Sequence, residues 1–382
     1  MTALERAGTI VDTWNEELRR ELPEHARLFD AHTHLGSDID GMVGDYDELV
    51  AVLDRYGFEH AFTFCLDEPD REPAFSRANE RTLAHAARSE GRLIPFVRLD
   101  LTTTPLDEAR RCLDLGARGI KLHPRAQAFA LNDERLQPIF ALAVERDVPI
   151  LIHGGRGLPP IAEDLEALVR RNEGVQLIVA HAGIADMAEL AGRLGGIPGV
   201  FFDTSVWSGL DLLDLYRQVS PEQVLYASDY PYGRQPNSLL VSVRTAKLAG
   251  FDDKQLRLML GGSAQRIAER EPLEPLSQPK GPSSLVQPLT FARIHQYISM
   301  AVPMLWLRQK DAIGAIGLAV NASRERGNGQ HEPAERIQEL LMTAQELWRE
   351  CAELEDAERA TTFRAAIQLV NLADMVSLTT RA

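Results

Sequence analysis

Two histidines set one residue apart carry the first chemical signal in this chain, in the run Asp30-Ala31-His32-Thr33-His34 at the end of a short apolar segment. Side chains alternate faces along a β-strand, so His32 and His34 point the same way and both imidazoles can reach one ion. His153, His181 and the carboxylate of Asp229 stand at the ends of later apolar segments. Imidazoles with one carboxylate suit zinc, and less selectively manganese, iron or cobalt, with positions left open for water. The chain holds ten histidines, and five of them (His32, His34, His123, His153 and His181) fall where an apolar segment ends. Independent placement would scatter them.

The elements that position these residues are eight short runs rich in Val, Ile, Leu and Phe, at residues 28–36, 60–68, 93–101, 117–124, 148–155, 175–183, 200–206 and 224–231. Each gap between runs has room for one helix, the pattern of parallel strands buried on both faces. Eight βα units with right-handed crossovers either close into a barrel or stay open as a doubly wound sheet. The polar residues decide between the two. They gather at the C-terminal ends of many different strands, as in a barrel, and no Gly-x-Gly-x-x-Gly turn follows the first strand. The expectation is an α/β chain with a (β/α)₈ TIM barrel, followed by a small all-α C-terminal domain.

At 382 residues the chain has room for such a barrel over residues 28–270 plus a second module. Residues 1–27 read as an amphipathic helical extension; their interspersed charges do not match a signal peptide. Residues 271–288 are rich in Pro, Ser and Glu and read as a linker. Residues 289–382 show helical periodicity without strand signals, clearest at 334–350 and 357–376. The apolar stretch 297–320 is interrupted by Arg308, Lys310 and Asp311, so no membrane span is expected.

The composition, 45% hydrophobic and 25% charged, is that of a packed globular protein. A formal net charge of -15 argues against nucleic-acid and anionic-membrane partners, which are held by clustered Lys and Arg. Cys65, Cys112 and Cys351 are odd in number and far apart, which offers no disulfide framework and fits the reducing cytoplasm.

The segments DAHTHLG, GIKLHP, PILIHGG, IVAHAG and YASDYPYG, in that order over residues 28–270, resemble the amidohydrolase superfamily, in particular its amidohydrolase 2 branch of metal-dependent TIM-barrel hydrolases and decarboxylases. The resemblance implies that His32, His34, His153 and Asp229 ligate the metal. It implies that His181 is a ligand of a second metal or polarises the substrate. A divalent ion lowers the pKa of a bound water from about 15.7 to about 7 and polarises a carbonyl, while Asp229 can take the water's proton and deliver it to the leaving group. In two-metal members of the superfamily a lysine on the fourth strand is carboxylated and bridges the ions, so a carboxylated Lys121 would mean two ions. The branch this chain most resembles generally uses one. Lys121 otherwise reads as a free ammonium that binds a substrate carboxylate or polarises a carbonyl, or as the partner of a nearby acid.

Arg98 on the third strand and Arg125 after the fourth suit bidentate capture of a carboxylate, although Arg98 could equally pair with Asp30 or Asp100. Trp207 either lines the pocket or packs, and His123 either contacts substrate or supports a ligand. Asp203 is placed to orient a ligating histidine, and Cys65 reads as a small buried hydrophobe. Three functions fit this sequence. Hydrolysis of an amide, lactone or related bond in a small, carboxylate-bearing substrate comes first. Metal-dependent decarboxylation of an aromatic or unsaturated acid is the alternative; the decarboxylating relatives often replace the first histidine of the pair with glutamate, and this chain keeps His32. A non-catalytic barrel with a helical interaction domain is the third, and the apolar helical faces of that domain also suit homo-oligomer formation.

Overall fold

The computed structural model describes residues 1–206, 208–281, 285–325, 331–351 and 354–380. They form two compact units, one of Pro23–Ser238 and Ala246–Gly281, the other of Met1–Leu22, Leu239–Thr245 and Pro282–Ala382.

The first unit is built on β1 (Leu28–Ser37), β2 (Val43–Gly44), β3 (Phe58–Cys65), β4 (Leu93–Arg98), β5 (Gly119–Leu122), β6 (Ile150–Ile152), β7 (Leu177–Val179), β8 (Val200–Asp203) and β9 (Val224–Leu225). From β4 to β9 each strand pairs in parallel with the one before it in the chain, and β3 pairs in parallel with β1. The sheet then meets itself. Ala31 donates to Tyr226 O at 3.0 Å, Asp229 to His32 O at 2.9 Å and His34 to Tyr230 O at 2.8 Å, which lays the chain after β9 alongside β1. This closure is the TIM barrel that the eight apolar runs imply.

Between the strands lie α2 (Tyr46–Tyr56), α3 (Ser76–Arg88), α4 (Pro105–Asp114), α5 (Leu136–Arg146), α6 (Ala162–Arg171), α7 (Met187–Leu194) and α8 (Gly209–Tyr216), with α9 (Asn237–Ala249), α10 (Asp253–Arg257) and α11 (Ser263–Glu269) after β9. Strands such as Ile150-Leu151-Ile152 are buried throughout, because one face meets the helices and the other the barrel interior. That interior is filled by Phe29, Phe62, Phe64, Phe96, Leu151 and Phe201. Gly119 makes room for it: a Cβ there would lie 2.5 Å from the ring of Phe96.

Two features depart from the sequence reading. The antiparallel strand β2 pairs with Gly36 and Ser37 through a tight turn closed by Gly41, whose φ of +89° and N–H to Asp38 O at 3.0 Å suit glycine. The other parallel strands end earlier than the apolar runs, so that His123, His153, His181 and Asp229 stand just past the ladders, on the loops. His181 and Asp229 turn there with φ of +58°, a conformation L-residues adopt at a cost of about 1–3 kcal/mol. Residues 271–281 lie on the barrel unit, where Ser277 donates to Glu222 and Lys280 to Tyr216 O.

The second unit is helical: α1 (Ala3–Glu21), α12 (Leu289–Trp306), α13 (Ala312–Ser323), α14 (His331–Glu350) and α15 (Asp356–Thr379). Thr2 and Glu5 form a reciprocal capping box at the start of α1. Ile294, Ile298, Leu340, Leu341 and Leu369 are fully enclosed in its core. Trp14 lies beneath the guanidinium of Arg336 at 3.9 Å from the ring centre, and Arg336 and Arg244 both bond Glu17. Among the described residues no helix is long and apolar enough to cross a membrane.

Candidate metal centre

His32 is wholly buried at the C-terminal end of the barrel, and its orientation is fixed from behind. Its Nδ1 donates to Asp203 Oδ2 at 2.7 Å, which leaves the Nε2 lone pair facing inward. That Nε2 lies 3.1 Å from His34 Nε2 and 3.2 Å from Asp229 Oδ1, and His34 Nε2 is 3.1 Å from the same oxygen. One ligand atom from each of His32, His34 and Asp229 falls within 4.8 Å of the others. Asp203 is itself held by the backbone N–H groups of His181 at 2.8 Å and Ser205 at 3.0 Å and by the Ser205 hydroxyl at 2.6 Å. Asp30 accepts from the N–H of His32 and of Ser228, tying β1 to the segment that closes the barrel.

His153 and His181 form a second pair. His153 Nδ1 is 3.0 Å from His181 Nε2, and the rings of His32 and His181 are centred 5.2 Å apart. His153 Nε2 is buried without a hydrogen-bond partner. Gly155 makes the pair possible, since a Cβ there would sit 2.6 Å from His153 and 3.0 Å from His181. His123 stacks on His153 at 3.9 Å between centroids, and its Nδ1 accepts from Ala126 N–H at 3.1 Å. The Lys121 ammonium lies 3.4 Å from His32 Nε2 and 4.5 Å above the ring of Phe64.

Burial strips this group of charge. It drives His32, His34 and His153 well below the ordinary histidine range, helped by Lys121 and by the other imidazoles. His181 is lowered by burial too, against the pull of Asp203. Lys121 is pushed down to about 7 and Asp30 up to about 7, both chiefly by burial, and Asp229 is raised well above the usual carboxylate range for the same reason. Neutral imidazoles with inward lone pairs beside an acid that ionises once positive charge is near suit a divalent cation, and the donor set fits one.

The structure brings His32, His34, His153, His181, Lys121 and Asp229 to one end of the barrel and sets the other candidates differently. Arg98 is almost fully buried and faces neither Asp30 nor Asp100. Its Nη2 lies 3.6 Å from Asp67 Oδ1, its Nη1 is 3.4 Å from Cys65 O, and its guanidinium covers Phe75 at 4.8 Å. Asp67 follows β3, the strand paired with β4, and lies within reach of Arg98, whereas Asp100 accepts from Thr102. Arg125 is exposed and donates to Arg156 O at 3.3 Å. Trp207 lies outside the described residues. Cys65 is buried, and its thiol is pushed up to about 12, which suits a packing role. The sequence reading missed Ser205, which holds both Asp203 and His181 Nδ1, and Phe64, whose ring contacts Lys121, His32 and His34. An apolar residue opposite the His-x-His pair on the neighbouring strand was the only trace of Phe64.

With this geometry in view, comparison with known proteins gives the class. The sequence matches the Amidohydrolase family over residues 29–267, and the chain belongs to that family, whose members are metal-dependent enzymes. No curated protein was found to match it in sequence. In fold it is similar to the apo form of an IDCase from Metarhizium anisopliae, with 14% identity and a TM-score of 0.51 over 64% of this chain and 97% of the other. It is also similar to 4-oxalomesaconate hydratase from Rhodopseudomonas palustris, with 17% identity and a TM-score of 0.50 over 64% and 96% of the two chains.

Proposed function

We propose that this chain is a hydrolase of an amide, lactone or related bond in a small, carboxylate-bearing substrate, working with one divalent ion, zinc first among the candidates. The observation that carries the reading is the His32–His34–Asp229 cluster braced by Asp203. His32, His34 and Asp229 would hold the ion, with His153 completing the set from the loop after β6. The ion, when bound, would make water acidic enough to attack at neutral pH and would polarise the scissile carbonyl.

The chain's own residues supply the remainder. Asp229 Oδ1 takes the proton of the attacking water and returns it to the leaving group. His181, whose Nδ1 meets Ser205 and whose Nε2 meets His153 Nδ1 at 3.0 Å, holds His153 for the ion beside the substrate carbonyl. Lys121, pushed down to about 7 by burial, offers its Nζ to the substrate in its protonated form. Arg98, with Nε and Nη2 buried and free of hydrogen bonds, and the rim residues Arg125 and His123 are offered to the substrate carboxylate. His32 in the first position of the pair favours hydrolysis over decarboxylation.

The same reading covers setting and partners. Cys65, Cys112 and Cys351 are buried free thiols, as suits the cytoplasm, and the helical unit is the surface through which copies of the chain would associate. Elemental analysis of protein expressed with added metal tests the core of the proposal. About one ion per chain is expected, and about two would instead favour a carboxylated Lys121. Less than about a tenth of an ion per chain would remove the metal from the reaction altogether. Release of carbon dioxide from a panel of carboxylic acids, without hydrolysis of lactones or amides, would replace the hydrolase by a decarboxylase.

A further inference from the structure

The helical unit contains a second constellation with chemical potential, on α12 and α15. His295 Nδ1 lies 2.7 Å from Asp374 Oδ1, and His295 Nε2 lies 3.4 Å from Ser299 Oγ. The side chains of His295 and Asp374 are only 19% and 21% exposed, while Ser299 is open to solvent.

The local reasons for this order are plain. His295 and Ser299 are four residues apart on α12, and helical side chains tilt towards the N-terminus, so the serine hydroxyl is carried back over the imidazole. Asp374 comes from α15, which packs along α12 within the same unit. A carboxylate at 2.7 Å takes the proton on Nδ1, which leaves Nε2 as an acceptor for the serine O–H. Nucleophile, base and orienting acid therefore stand in the serial arrangement that activates a serine, an arrangement defined by geometry and not by fold.

We propose that Ser299, His295 and Asp374 form a nucleophilic site that accepts acyl groups from small carboxylic esters with good leaving groups. Ser299 Oγ bonds to the acyl carbon as its proton passes to His295 Nε2. The bond to the leaving alcohol then breaks, and the alcohol takes that proton. Water, deprotonated by His295, hydrolyses the serine ester and restores the hydroxyl. The site uses no metal, so it stands or falls separately from the barrel's reaction. The fixed Nδ1 contact gives the imidazole one tautomer.

Incubation of the full-length protein with an alkyl fluorophosphonate tests this, with the adduct located by peptide mass. In that reaction the Oγ–P bond forms, P–F breaks and fluoride leaves. The expected result is one adduct, on Ser299, present with and without a metal chelator. It should be absent in Ser299→Ala, an exposed substitution that leaves the fold intact, and formed at least about tenfold more slowly in Asp374→Asn. A structural role for Asp374 alone would not alter the labelling of Ser299. The proposal is overturned if Ser299 carries no adduct, or if Asp374→Asn labels as fast as the natural protein. Heat-denatured natural protein guards against a misfolded Asp374 variant: labelling of Ser299 that survives denaturation also overturns the proposal.

Discussion

The barrel mouth and the helical unit treat buried polar groups in opposite ways. At the mouth, Arg98 Nε and His153 Nε2 are buried without hydrogen-bond partners, Arg98 Nη2 and Asp67 Oδ1 meet only as an ion pair at 3.6 Å, and His181 and Asp229 hold positive φ. Arg244 and Arg336 of the helical unit, by contrast, each find Glu17. Leaving a buried polar group unmet costs about 1–3 kcal/mol, so its concentration at one end of the barrel marks where another binding partner is expected. The helical unit is built to be stable, and the barrel mouth to be completed.

The sharpest way to break that contrast is Asp229→Asn. If the mouth exists for chemistry, removing one carboxylate oxygen should lower kcat/KM on the substrate by about 10³-fold or more, roughly 4 kcal/mol, with the melting temperature nearly unchanged or raised. Relief of an uncompensated buried acid is the reason a rise is expected. Steady-state kinetics beside a thermal melt gives the answer. Activity within about tenfold of the natural protein, or a large loss of stability, would make the mouth a structural device.

The helical unit should respond in the reverse sense. Leu341→Ala opens a cavity in a core position with no exposure, at an expected cost of about 2–5 kcal/mol in denaturant unfolding. The metal content of the folded protein should not change. A loss of bound metal that parallels the loss of stability would show that the two units do not divide these roles.

How much of this was legible depended on the range of the contact. His32 and His34 declare their shared face through strand alternation, a local rule, and the apolar runs declare the barrel for the same reason. Asp229 is legible only as a polar residue ending the last run; that it meets His34 195 positions away is a consequence of closure. The positive φ of His181 and Asp229 leaves no mark in the sequence, since neither residue is glycine. Arg98 shows the limit most clearly. Its charge is obvious, yet its partner, Asp67, follows the neighbouring strand β3 and is brought near by the pairing of β3 with β4.

The smallest effect expected is a pH dependence confined to the helical unit. Burial alone would lower the pKa of His295, but the hydrogen bond and charge of Asp374 outweigh it, and the imidazole ends above the ordinary histidine value. A base raised in the folded state stabilises that state while protonated. The contribution is therefore complete below about pH 6.5, the unfolded value, and is lost as the pH rises through the higher folded one. With both side chains partly solvated it should amount to less than about 1 kcal/mol. Denaturant unfolding at pH 6 and pH 8, followed by a probe in α12, should show this decline, and Asp374→Asn should flatten it. A stability that rises over the same interval would mean that burial prevails, with His295 carried neutral in the folded protein.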